Sequence, residues 1–390
     1  MPHGVCWKDD GRLKLLIVVG TRPEVIRLSE VIKACRRHFD TLLCHTGQNW
    51  DWTLNGVFFE GLGLGAPDVA LDVVGEDLGQ TMGNVIAQTY GLMAELRPDA
   101  LLVLGDTNSC LAAISAKRLH VPIFHMEAGN RCRDERLPEE TNRRIVDVIS
   151  DVNLAYSEHA RRWLKDTGLP PERTFVTGSP MPEVLRANME GILCSDVIGR
   201  LGLEEGRYVL LSAHREENVD DPASLASLFG AVNAMAKRYD VPVLYSCHPR
   251  SRKRLAEAGV ALDPRVRTHE PLGFADYNRL QLGAYCVVSD SGTLPEESAF
   301  WAGEGRPFPA VCVRTSTERP EALERGCFVL AGISERGLLQ AVGLATELAA
   351  EGAHPSAVPD YQDENVSSKV VRIIQSYVGV VDRVVWGKAL

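Results

Sequence analysis

Carboxylates stand at three telling places in the first half of this sequence, two just past apolar runs and one at a helix start, and acids at strand ends are well placed to move protons. LLVLG runs into Asp106, VPIFHM runs into Glu127, and Pro138 introduces the pair Glu139 and Glu140. Asp106, followed by Thr107 and Asn108, can act either as a helix cap or as a reactive group. Downstream, Arg131, Arg133, Arg136, Arg143 and Arg144 are interleaved with Glu127, Asp134, Glu135, Glu139 and Glu140, with almost nothing apolar between them. A solvated charged face is the plain alternative. Position favours chemistry, because convergent carboxylates divide acid and base roles while neighbouring arginines keep some of them ionised. Glu139 and Arg143, four residues apart, can also pair on one helical face.

The remaining reactive residue types also follow apolar runs. GTRPE, Gly20 to Glu24, offers a tight turn, the cation Arg22 and a proline suited to a helix start. YVLLSA ends in His214, and VLYSC ends in His248, Pro249 and Arg250. VVSDSGTLPEE places Ser291, Gly292 and Thr293 at a helix amino terminus, a ready phosphate site, with Glu296 or Glu297 one turn on to accept ribose hydroxyls. VRTSTERPE, Arg314 to Glu321, adds two arginines at another helix start. This half therefore reads as a holder of a nucleoside diphosphate. No G-x-G-x-x-G, P-loop or magnesium site accompanies it, so neither a cofactor nor a metal is expected.

Parallel strands must position these residues. Runs such as LKLLIVV, ALLVLG, YVLLSAH and AYCVVSD are continuously apolar and are followed by amphipathic stretches, the pattern of βαβ units buried on both faces. At 390 residues the chain should form two domains, and ligands should lie beyond the carboxyl ends of the strands. The fold class expected is α/β, with two Rossmann-like doubly wound domains. Residues 1–190 and 191–362 form them, a polar stretch near 187–206 is the hinge, and the active site is placed in the cleft between the domains. A helix within 363–390, with Val366, Val370, Ile373 and Ile374 on its apolar side, is expected to return to the amino-terminal domain.

Composition narrows the function classes. A net charge of -10 argues against a general nucleic-acid binder. No apolar run is long enough to span a membrane, and MPHGVCWKDDGR does not read as a secretory signal, so a cytoplasmic location is expected. The ten cysteines are scattered without a C-x-x-C pair, which suits reduced, packed thiols.

GTRPE, HTGQN, LGDT, EAG followed by PEETNRR, AHREEN, SDSG followed by EE, and TERPEA resemble, in order and spacing, the non-hydrolysing UDP-N-acetylglucosamine 2-epimerase family. The resemblance runs from about residue 13 to the end and implies a glycosyltransferase-B-type fold. Within the family, HTGQNWDWTLNGVFFEGLG, EAGNRCRDERLPEETNRRIVD, CHPRSRKRL and the tail DENVSSKVVRIIQSYVGVVDRVVW are most similar to one branch. That branch makes UDP-N-acetyl-L-fucosamine by inverting C2 of UDP-2-acetamido-2,6-dideoxy-L-talose. Asn49 stands where many UDP-N-acetylglucosamine enzymes have histidine, the loop between Glu127 and Glu139 is shorter than theirs, and Arg27 replaces the usual lysine.

The resemblance implies elimination of UDP across C1 and C2, then re-addition after proton delivery to the opposite face. By carry-over, Asp106, Glu127 and Glu139 are the acid–base candidates. His214, Arg22 and Arg143 would stabilise the departing diphosphate, joined by Arg27 as a substrate-binding cation. Ser291, Gly292 and Glu297 would hold phosphate and ribose, and Tyr277 would stack on uracil. A homodimer is implied as well. UDP-N-acetylglucosamine is the alternative substrate, and a glycosyltransferase of the same fold is the more distant rival.

Overall fold

The computed structural model describes residues 4–48, 59–135, 137–247 and 249–388. Asn49, Arg136 and His248 lie outside the described residues. The chain divides into two compact units, one comprising Met1–Val184 with Asp363–Leu390, the other Leu185–Gln362.

In the first unit β1 (Lys14–Val19), β2 (Asp40–His45), β3 (Val69–Ala70), β4 (Ala100–Leu104), β5 (Ile123–Met126), β6 (Val152–Ala155) and β7 (Thr174–Val176) form a sheet ordered β3-β2-β1-β4-β5-β6-β7. Every pairing in it is parallel. All of β4 and all of β2 is buried, as helices on both faces of the sheet require. Chain order reverses between β1 and β4, so the crevice for a ligand falls beyond their carboxyl ends.

The second unit repeats the plan. β8 (Val209–Ser212), β9 (Val243–Ser246), β10 (Val266–His269), β11 (Cys286–Ser289), β12 (Ala310–Cys312) and β13 (Val329–Leu330) form a parallel sheet ordered β10-β9-β8-β11-β12-β13. Its reversal lies between β8 and β11. Residues 187–206, the stretch expected as a hinge, contain the short helices Met189–Leu193 and Val197–Arg200 and belong to this unit.

The last helix, Val366–Val384, belongs to the first unit and packs on the helix Arg22–His38. Val366, Val370, Ile374, Val378 and Val381 form its buried stripe, at the spacing of one helical face. Just beyond it, the Trp386 ring stacks on His120 with centroids 4.2 Å apart, and Lys117 lies 4.9 Å from the Trp386 centroid. All ten cysteines are free, with Cys6 and Cys194 exposed, Cys132 half-buried and the rest buried. Among the described residues no helix is long and apolar enough to cross a membrane.

Candidate active site

At the first reversal, the turns after β1 and β4 are tied together by Glu24. One of its oxygens accepts the Gly20 N–H (3.1 Å) and the Thr21 hydroxyl (2.8 Å), and the other accepts the Ser109 hydroxyl (2.5 Å). Burial pushes the Glu24 carboxyl above its ordinary pKa, opposed by hydrogen bonds of which Ser109 gives the largest. Gly20 has no room for a side chain, since a Cβ there would sit 2.6 Å from Thr46 Oγ1. Arg22 opens the helix that follows and is half-buried.

Asp106 lies one residue past Gly105 in the turn after β4. It does not cap a helix: the short 3-10 helix Asn108–Leu111 begins after Thr107, and no cap bond comes from a side chain. Asp106 Oδ2 instead takes Arg143 Nε at 2.7 Å together with Arg143 Nη2. Asn142 fixes the same turn, donating to the Asp106 carbonyl at 2.9 Å. The Asp106 side chain stays 20% exposed, open enough for a ligand to reach.

Glu127 directly follows β5 with its backbone in the left-handed region, φ +64°, unusual for a residue with a side chain. Its carboxylate pairs with Arg27 Nη1 and accepts from Asn130 Nδ2 at 3.1 Å. It also lies against Gly105, where a Cβ would stand 3.0 Å from Glu127 Oε2. Two carboxylates, each paired with an arginine, thus stand in adjoining turns.

Glu139 occupies the first turn of the helix Pro138–Ile149 and is half-buried. Arg143 contacts Asp106 and, through Nη1, Glu140 at 3.1 Å, three residues away, and Cys132 Sγ at 3.5 Å. Arg143 thus forks between the neighbouring acid and the β4 turn. Glu140, the other acid of the pair and not among the acid–base candidates, is buried and also receives Cys132 N–H at 3.4 Å.

At the second reversal the organiser is Asp290, absent from the sequence-derived set although it stands in SDSG. It is fully buried and accepts the His214 N–H (3.0 Å), the Arg215 N–H (3.0 Å) and Asn218 Nδ2 (3.0 Å). The His214 ring lies 3.2 Å from Asp290 through Nδ1 while its side chain remains 42% exposed. Asp290 therefore holds the His214 loop to the β11 turn. In that turn Ser289 Oγ accepts the Ser291 N–H (3.0 Å) and Ser291 Oγ accepts the Thr293 N–H (3.2 Å), with Gly292 between them. The helix Leu294–Gly303 then begins, its amino terminus following this turn.

The acids of that helix separate. Glu296 is buried in a pair with Arg319, which donates from Nε (3.0 Å) and Nη2 (2.7 Å), so it serves the fold. Glu297 is 5% exposed and accepts from Gln281 Nε2 at 2.6 Å. The Tyr277 hydroxyl interacts with Ser212 and Ser289 at the strand ends, and burial raises its pKa, keeping it an O–H group. The TERPEA segment joins the same region, because Glu318 pairs with Arg314 (2.7 Å) and lies 3.6 Å from Arg215. Among the described residues no cluster of three or more histidines, cysteines or acids could hold a metal ion.

Two Rossmann-like parallel units with polar, charged turns at both reversals define a glycosyltransferase-B-type α/β protein. Residues 33–375 match the family model described as UDP-N-acetylglucosamine 2-epimerase. A UDP-2,3-diacetamido-2,3-dideoxy-D-glucuronate 2-epimerase of Pseudomonas aeruginosa is 34% identical over 357 residues, covering 90% of this chain and 94% of the relative. The structure of a UDP-N-acetylglucosamine 2-epimerase from Rickettsia bellii aligns with TM-score 0.87 and 41% identity, over 97% of this chain and 100% of that one. That of the Methanocaldococcus jannaschii UDP-GlcNAc 2-epimerase, in complex with UDP-GlcNAc and UDP, aligns with TM-score 0.86 and 28% identity, over 93% and 100%. The chain belongs to the UDP-N-acetylglucosamine 2-epimerase family and is an isomerase of the UDP-sugar 2-epimerase type.

Proposed function

We propose that the protein inverts C2 of a UDP-linked 2-acetamido sugar, with UDP-2-acetamido-2,6-dideoxy-L-talose as the preferred substrate and UDP-N-acetyl-L-fucosamine as the product. The observation that carries the C2 chemistry is the cluster at the first reversal, where Asp106 pairs with Arg143 and Glu127 with Arg27. The C2 hydrogen has no adjacent ring carbonyl, so direct deprotonation would leave a poorly stabilised carbanion. Elimination avoids it. A base takes the C2 proton, the C1–O bond to UDP breaks, and a 2-acetamidoglycal forms beside free UDP. A second acid then delivers a proton to the other face of C2, and a phosphate oxygen of UDP re-forms the bond to C1.

Asp106, Glu127 and Glu139 are the acid–base set in this reading. His214, Arg22, Arg27 and Arg143 balance charge developing on the departing diphosphate, where fixed cations act most strongly. Ser291, Gly292 and the helix start behind them receive phosphate, Glu297 the ribose, and Tyr277 the base. The substrate branch is supported by the EAGNRCRDERLPEETNRR segment and the carboxyl-terminal tail. UDP-N-acetylglucosamine, converted to UDP-N-acetylmannosamine, is the second reading, favoured by the substrate named for the Rickettsia and Methanocaldococcus proteins. Steady-state assays with each sugar decide between them. The proposal expects kcat/KM at least about tenfold higher for the L-talo sugar, a difference of about 1.4 kcal/mol in transition-state binding. Equal or reversed values transfer the assignment to UDP-N-acetylglucosamine.

A further inference from the structure

Asp147 lies near the end of the helix Pro138–Ile149, is fully buried, and takes no part in the scheme above. Its carboxylate accepts the Gly129 N–H on both oxygens at 3.2 Å and meets Arg131 Nη2 at 2.6 Å. His125 Nδ1 is 3.0 Å from Asp147 Oδ1, outside hydrogen-bond alignment. The other nitrogen of that ring, Nε2, donates to the Gly105 carbonyl at 2.8 Å, since a carbonyl can only accept.

These contacts lead to both reactive turns. Through Gly129 and Arg131, Asp147 holds the loop in which Glu127, Gly129 and Arg133 all have positive φ, at +64°, +83° and +59°. Its other neighbour, the His125 ring at 3.0 Å, holds through Nε2 the carbonyl of Gly105, itself at φ +70° and next to Asp106. Left-handed backbone at a residue with a side chain persists only where its surroundings over-determine it. The loop has no slack on its other side, because a Cβ on Gly129 would stand 2.4 Å from the Ala160 carbonyl oxygen.

We propose that Asp147 is a positioning residue that sets the Asp106 and Glu127 carboxylates for the two proton transfers at C2. This inference rests on the reading of those two residues as acid and base. Reacting groups displaced by about 1 Å lose about a hundredfold in rate, so a buried anchor shared by both turns governs turnover more than affinity.

Asp147→Asn keeps the shape and the Gly129 acceptor but loses the charge facing Arg131. In the full-length protein it should lower kcat for C2 inversion by about 30-fold or more, leave KM and UDP affinity within about threefold, and raise the glycal and UDP released per inversion. A purely structural role would lower the active fraction without changing that product ratio. Arg131→Gln, tested alongside, should show the same split at smaller size, and it decides the matter alone if Asp147→Asn does not fold. Turnover within about threefold of the parent and no added glycal release in whichever of the two variants folds overturns the proposal. Glu127→Gln and Asp106→Asn run in parallel keep the two ideas apart: if they too retain turnover, the acid–base reading fails, and if only they lose it, the Asp147 inference fails by itself.

Discussion

Arg143 reaches Asp106 with Nε and Nη2 and Glu140 with Nη1, so one guanidinium is shared between two acids and fixed by both. Asp106→Asn and Glu127→Gln should each cost about a hundredfold to ten-thousandfold in kcat, the usual worth of a general acid or base. Arg143→Lys keeps the charge but loses the planar fork, and kcat should fall at least about tenfold; steady-state assays check all three. His45 supplies a pH test. It is 1% exposed at the end of β2, and burial lowers its pKa to about 4. The ordinary value is about 6.5, so between these limits the unfolded chain binds the proton and the folded chain does not. Folding stability therefore falls as pH drops from about 6.5 towards 4, by up to about 3 kcal/mol from this group. Urea melts of the parent and His45→Gln at pH 7 and pH 4.5 should show a smaller loss in the variant. At this scale the positions of Asp106 and Glu127 just past β4 and β5 were legible, because the apolar runs before them mark where the strands end. Asp147 and Asp290 were not, because their partners are distant in sequence or lie on a loop whose path no local pattern encodes.

Turns at the carboxyl ends of parallel strands carry nearly all of these residues, and the turns tolerate little change. Gly129→Ala meets both a positive φ and the Ala160 carbonyl. It should destabilise the protein by at least about 2 kcal/mol and lower kcat with it, read by thermal melts and turnover together. Central strands such as β1, β4 and β11 were readable as continuous apolar runs. β2 and β10 are less so: DTLLCH begins and ends in polar residues although all of it is buried, and VRTH exposes its two middle residues at a sheet edge. The last helix was readable from its apolar spacing. Ile374→Ala, in its buried stripe, should cost about 2–5 kcal/mol in a denaturant titration.

As a whole the molecule is two units of one plan, each with its candidate site turns at a reversal of strand order. The division makes a prediction about variants. Asp290→Ala in the second unit should weaken UDP binding at least about tenfold by releasing the His214 loop, whereas Asp106→Asn in the first should leave UDP affinity within about threefold; calorimetric titration with UDP separates them. Two α/β units were legible from the alternation of apolar runs and helical stretches. The unit boundary at Val184 was not, because it falls inside the continuous helix Met181–Ala187. The most direct test of the central claim is proton NMR of C2 during turnover of the UDP-sugar in D2O. Deuterium should enter C2 while the UDP linkage is retained in the product, and Glu127→Gln should abolish that entry. Product formed with the original hydrogen still on C2 would contradict the elimination account.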